Sequence, residues 1–151
     1  MIRPATPGDI AHCLAIARGL PDYFTADALH EMAADLTRHP TYVAEVEGAV
    51  RGFATVKHKS AEVVELAWIA VYRSGRGKGV GSSLLAGLEG ELREKAVKLI
   101  EVKTLDAKAG YAPYEATRRF YTKHRFVWLE TIDPFPGWTA GNPCAIYVKI
   151  L

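Results

Sequence analysis

Residues Val71 to Leu85 read VYRSGRGKGVGSSLL. Gly75, Gly77, Gly79 and Gly81 alternate with other residues, and two of those, Arg76 and Lys78, are basic. The run leaves an apolar segment and enters a helical pattern carried by Leu84, Leu85, Leu88, Leu92 and Ala96. Glycine admits positive φ and lets another molecule approach the backbone closely. A helix N-terminus adds unpaired N–H donors and partial positive charge. Strand, glycine run and helix start together describe an anion site, whose usual guest is phosphate. Arg76 and Lys78 add charge-assisted hydrogen bonds. The alternative is a glycine-rich turn with no ligand, but such a turn does not require glycines in strict alternation with cations.

Two phosphate motifs do not fit. The Walker pattern needs Ser or Thr after its lysine, and Lys78 is followed by Gly79. The pattern GxGxxG ends on Val80 when counted from Gly75 and on Ser82 when counted from Gly77. ATP and NAD lose ground, and a pyrophosphate of another kind remains.

Upstream of the run, AEVVELAWIAV from Ala61 predicts a long, mostly buried strand. TYVAEVEGAVRGFATVKHK alternates and turns at Glu47-Gly48, a hairpin signal. The opening MIRPA predicts a short strand. In TPGDIAHCLAIARGL, Thr6 is a cap, Pro7 suits the first helical position and Asp9 suits the positive end of the helix. A second helix is expected from near Thr25 to Pro40, with Leu29, Met32, Ala33 and Leu36 on one face. Downstream, KLIEVKTL predicts a strand, Pro113 or Tyr114 to Lys123 a helix, and FVWLETI and CAIYVKIL a final pair of strands. The mixed order implies an α/β (α+β) fold: one mixed central sheet of about six to seven strands with helices on both faces.

The chain has 151 residues, 49% hydrophobic and 24% charged, which suits one globular domain spanning 1–151. A net charge of +2 argues for neither nucleic acid nor an anionic membrane as partner. Cys13 and Cys144 form no CxxC pair, and the five histidines are scattered. These features predict no disulfide framework and no metal, and match a reducing cytoplasm. No leader and no membrane-crossing run is expected.

Arg76-Gly77-Lys78-Gly79-Val80-Gly81 resembles the R/Q-x-x-G-x-G/A signature of the GNAT N-acetyltransferases, and like it follows a strand, here ending in Val71. The run Tyr114 to Phe126 is similar to that family's N-x-x-A-x-x-x-Y-x-x-x-G-F segment, and IRPATPGDI resembles its common N-termini. Order and spacing match over essentially the whole chain. Departures are Arg73 where proline is frequent, Gly75 where an aromatic is frequent, Tyr114 for asparagine, Thr117 for alanine and Arg125 for the glycine before Phe126.

The resemblance implies the acyl-CoA acyltransferase fold and acetyl-CoA as co-substrate. The backbone of Gly77, Gly79, Val80 and Gly81 would hold the pyrophosphate, with Arg76, Lys78 and Ser82 beside it. Ile69, Ala70 and Val71 would pair with the pantetheine arm. Tyr114 and Arg118 would approach from the later helix, Arg118 toward the adenosine. Tyr121 stands where the family commonly keeps its general acid, and a phenol with a pKa of about 10 holds its proton at neutral pH.

Glu65 is the expected base: an acid in an apolar strand, where burial would raise its pKa. Glu62 is the second choice and a water chain the third. Tyr23, Phe24 and Trp138 are candidate acceptor walls, and Asp22 and Asp133 could attract a cationic amine. The expected activity is acetyl transfer to a primary amine of a small molecule or peptide. The alternatives are a non-catalytic acyl-CoA sensor and a nucleotide-binding protein. The final strands could join a second copy as a homodimer.

Overall fold

The computed structural model describes residues 1–151. Seven strands form one sheet: β1 (Ile2–Pro4), β2 (Thr41–Val46), β3 (Ala49–His58), β4 (Val63–Val71), β5 (Leu99–Leu105), β6 (Val127–Ile132) and β7 (Cys144–Ile150). Four helices accompany them: α1 (Ile10–Arg18), α2 (Ala26–Arg38), α3 (Val80–Glu94) and α4 (Pro113–Lys123). The sheet order is β1-β2-β3-β4-β5-β7-β6. Only β4 and β5 run parallel; every other neighbouring pair is antiparallel.

Alternation along the strands feeds two cores. Val43 and Phe53 face one side and pack with Cys13, Ala17, Met32 and Leu36 of α1 and α2. Ala44, Ala54, Val64, Ile100 and Val102 face the other and pack with Leu84, Leu85, Leu88 and Leu92 of α3 and with Tyr121 and Phe126. Helices therefore cover both faces, as the element order implies. The hairpin turns where expected, with Glu47 and Gly48 both at positive φ (52° and 78°).

The feature that makes the site lies in the middle of the sheet. β4 pairs with β5 only at Val63↔Leu99, Val64↔Ile100 and Glu65↔Glu101. Immediately afterwards β4 carries an extra residue: Val56 opposes Leu66 while Thr55 opposes Trp68, leaving Ala67 as a bulge. A bulge bends its strand and raises the local twist. Beyond it β4 continues on β3 to Val71 and β5 continues on β7 to Leu105, so the two strands diverge into a V.

One helix start differs from the sequence reading and one agrees with it. The first begins with a single 3-10 turn, Pro7–Asp9. The Thr6 hydroxyl donates to Asp9 Oδ2 (3.0 Å), and the same oxygen accepts from the Thr6 amide (2.7 Å), the acid's half of a capping box. Asp9 also takes a bidentate pair from Arg3 (2.7 and 3.1 Å), which ties β1 to α1. Thr25 does cap α2, accepting from the Ala28 amide at 3.1 Å.

α4 ends in a Schellman motif. The Phe126 amide donates to Tyr121 O and the Arg125 amide to Thr122 O (3.0 and 3.1 Å), while the Phe126 ring packs 5.3 Å from that of Tyr121. Arg125 sits at φ 68°, the left-handed position that glycine normally fills. The missing glycine has not altered the turn; the turn holds Arg125 in a strained conformation.

Two expectations follow. Arg125→Gly raises stability by about 1 kcal/mol, readable by urea denaturation, since a side chain in the left-handed region costs about that much. Asp9→Asn lowers the Tm at neutral pH, and the gap to the parent narrows as the pH drops. The Arg3 guanidinium, helped by Thr6 and opposed by burial, holds the Asp9 carboxyl well below the usual carboxylate range. Its contribution is full above the unfolded value of about 3.9 and is lost as the pH falls through the lower folded value. Tm measured from pH 7 downward checks the sign.

Candidate active site

The V between β4 and β5 opens into a cleft of about 1160 Å³, walled by both strands, the glycine run, the start of α3 and α4, and the loop between α1 and α2. The inner edges of Leu66–Val71 and Val102–Leu105 face one another across it with no strand between them.

At one end stands the glycine run. Gly77 and Gly79 take φ 75° and 80°, and Gly79 is the residue from which α3 starts. Gly75 is required for a different reason: a Cβ there would lie 1.9 Å from the Tyr72 ring. The amides of Gly77, Gly79, Val80, Gly81 and Ser82 donate to no protein acceptor; the first amide of the segment to return to α3 is that of Ser83, bonded to Gly79 O (3.0 Å). Five unpaired donors at a helix N-terminus are an anion site in waiting.

The basic residues divide. Arg76 lines the cleft, but its guanidinium donates to the Tyr23 hydroxyl (3.0 Å) and lies 4.4 Å over that ring. Lys78, between Gly77 and Gly79, is exposed and is not part of the cleft wall. Ser82 Oγ lies in the cleft wall and within 3.0 Å of His124 Nε2.

In the middle of the cleft are Ile69, Ala70 and Val71 on one side and Tyr114, Phe120 and Tyr121 on the other. Tyr121 is 4% exposed, yet its hydroxyl makes no hydrogen bond within the protein. Burial, with the nearby Tyr114 second, pushes its pKa above that of an ordinary phenol. Arg118 is not in the cleft. It donates to Leu105 O (2.8 Å), fastening α4 to the end of β5.

Glu65 lines the cleft at the point where the strands part. Its setting corrects the expected apolar one: Lys103 approaches Oε1 at 3.4 Å and also lies 3.7 Å from Glu101. Oε2 has no partner. Glu62 lies away from the cleft in an exposed pair with Lys98 (3.1 Å).

The remaining wall is aromatic. Phe24 meets Trp68 edge to face at 6.1 Å, and Trp138 packs on Phe135 at 5.6 Å. Tyr23, Phe24 and Trp138 all line the cleft, as does Asp22; Asp133 does not. Trp68, Lys103, Thr104 and Phe135 are cleft residues that sequence reasoning missed. Trp68 was hidden by the bulge: strict alternation from Glu65 points it away from that side, and the extra residue Ala67 turns it back.

The α1–α2 loop straps the two arms together. Tyr23 donates to Pro113 O (2.9 Å), Tyr114 to Tyr23 O (2.8 Å), Tyr111 to Asp22 O (2.7 Å) and Arg73 to Gly19 O (3.1 Å). No group of three or more His, Cys, Asp and Glu side chains could hold a metal ion, and no helix is long and apolar enough to cross a membrane.

This arrangement has close relatives among solved structures. One assigned to the GNAT family, from Desulfovibrio desulfuricans, superposes with a TM-score of 0.87 at 21% identity, over 99% of this chain and 98% of that one. The ribosomal-protein-alanine N-acetyltransferase of Brucella melitensis gives 0.75 at 25% identity, over 100% and 99%. A GNAT family acetyltransferase from Elizabethkingia anophelis, solved with acetyl-CoA bound, gives 0.71 at 19%, over 100% and 97%. No curated protein sequence matches. The family model described as Acetyltransferase (GNAT) domain matches residues 37–127, more than half of the chain and the whole of the split between β4 and β5. The chain belongs to the GNAT acetyltransferase family.

Proposed function

We propose that this protein, as one domain over residues 1–151, transfers the acetyl group of acetyl-CoA to a primary amine of a small molecule or peptide by direct attack. The observation that carries the reading is the set of five unpartnered amides, Gly77 and Gly79 to Ser82, at the head of a cleft inside the sheet. They suit a diphosphate, and the free inner edge of Ile69 to Val71 suits the amides of a pantetheine arm. Its two cysteines are unpaired and buried, which fits a reducing cytoplasm.

Acetyl-CoA, when bound, supplies a thioester carbonyl to be attacked. The chain's residues do the rest. The amides and the positive end of α3 bind the diphosphate. The aromatic wall of Phe24, Trp68, Phe135 and Trp138 receives the acceptor. Glu65 takes the proton of the attacking amine on its free Oε2 while Lys103 steadies Oε1. A C–N bond forms and the C–S bond breaks. Tyr121 gives its proton to the departing sulfur: its hydroxyl, unbonded within the protein and lining the cleft, still carries one at neutral pH and has no protein acceptor to lose it to.

Isothermal titration with acetyl-CoA, combined with release of free CoA thiol across a panel of amines, tests the whole reading. Binding without release for any amine would leave a sensor in place of an enzyme. Tyr121→Phe should lower kcat by about 10²- to 10⁴-fold with the Kd for acetyl-CoA nearly unchanged; full turnover in that variant removes Tyr121 as the acid. Glu65→Gln should lower kcat with the Kd for acetyl-CoA nearly unchanged, and undiminished turnover hands the proton to water.

A further inference from the structure

One buried side-chain polar atom in the protein has no hydrogen-bond partner: Thr104 Oγ1. Thr104 is 5% exposed and lies on the part of β5 that has parted from β4, in the wall of the cleft. A buried hydroxyl without a partner is destabilising, and packing alone has no use for it, since valine has the same shape.

Its neighbours give the orphan a direction. Register sets Thr104 opposite Ala145 and Val102 opposite Tyr147, so Thr104 faces the side of the sheet that carries Tyr147 and α4. The Tyr121 ring lies 6.4 Å from that of Tyr147. Arg118, three residues before Tyr121 on the same helix, bonds the carbonyl of Leu105, the residue after Thr104. The α4 turn bearing one uncommitted hydroxyl is thus clamped to the strand end bearing another. The five open amides lie apart from this pair, on the glycine run and the start of α3.

We propose that Thr104 is a donor-binding residue: its hydroxyl completes its hydrogen bonding on a polar atom of the cysteamine–thioester segment of acyl-CoA, opposite the backbone edge of β4. This rests on the acetyl-CoA reading given above. Thr104 then fixes the thioester end, while the amides of α3 fix the diphosphate end.

The test uses the full chain with Thr104→Val and Thr104→Ser. Two ligands are titrated calorimetrically: acetyl-CoA, and adenosine 3′,5′-bisphosphate, which lacks the pantetheine arm. Without ligand, Thr104→Val should melt at or above the parent Tm. Its Kd for acetyl-CoA should rise about five- to thirty-fold, the worth of one hydrogen bond. Its Kd for the bisphosphate should stay at the parent value, and Thr104→Ser should restore acetyl-CoA binding. Parental affinity for acetyl-CoA in Thr104→Val overturns the assignment. An equal loss for both ligands, or a Tm several degrees lower, overturns it too, the latter by showing that the hydroxyl is satisfied within the fold. If the parent itself binds no acetyl-CoA, the donor reading fails first, and that result is distinguishable from all the others.

Discussion

Everything in this molecule depends on two parallel strands that begin as neighbours and are not allowed to stay so. Backbone amides and carbonyls in a sheet interior normally pair, and leaving them open is costly. Here the opening is tolerable because each strand keeps its other neighbour: β4 stays on β3 to Val71, and β5 stays on β7 to Leu105. The bulge at Ala67 falls directly after the last shared pair, Glu65↔Glu101, and so marks where the cleft begins. α3 and α4 meet beside the opening. A Cβ on Gly81 would come within 3.3 Å of Phe120, so the start of α3 approaches α4 about as closely as a side chain allows.

The split also decides how charge is used. Arg76 is the basic residue that the glycine pattern singles out, and its guanidinium is engaged by Tyr23, by hydrogen bond and by ring stacking. Lys78 is exposed and is not part of the cleft wall. In the proposed diphosphate site the burden of anion binding falls on backbone dipoles and on the end of α3, which are fixed in place and would lose no side-chain entropy on binding. The cations nearby have a mechanical part: Arg73 and Arg76 hold the α1–α2 loop, and that loop, through Tyr23 and Asp22, holds the N-terminal end of α4. One strap spans both arms of the V.

How legible this was differs by level. The order of elements, the hairpin at Glu47-Gly48 and the anion loop are local matters of period and composition, and they read directly from the sequence. Tyr121 is picked out only by the resemblance of the Tyr114 to Phe126 run to a family segment; on its own a helix tyrosine reads as core. What did not read was whatever a single long-range contact decides. Arg118 is an ordinary helix arginine until the end of β5 presents a carbonyl to it. Glu65 stands alone in its strand until Lys103, 38 residues later, arrives beside it. Trp68 sits on an unexpected face because one inserted residue reverses a period-two pattern, and no propensity marks Ala67 as that residue.

The local costs of the fold are not spread at random. Arg125 occupies a left-handed position at the end of the helix that carries Tyr121, with Phe126 packed back on the Tyr121 ring. Thr104 keeps a buried hydroxyl unpaired on the strand that faces that helix. Five amides stay open at the start of α3. Each departs from what stability alone would select; the hydroxyl and the amides border the cleft, and the strained turn ends the helix whose Tyr121 lines it. Sequences agree with their folds at most positions and break that agreement where something else must be bound. The orphan hydroxyl and the open amides therefore point, independently of any motif, to the cleft that opens where the strands part.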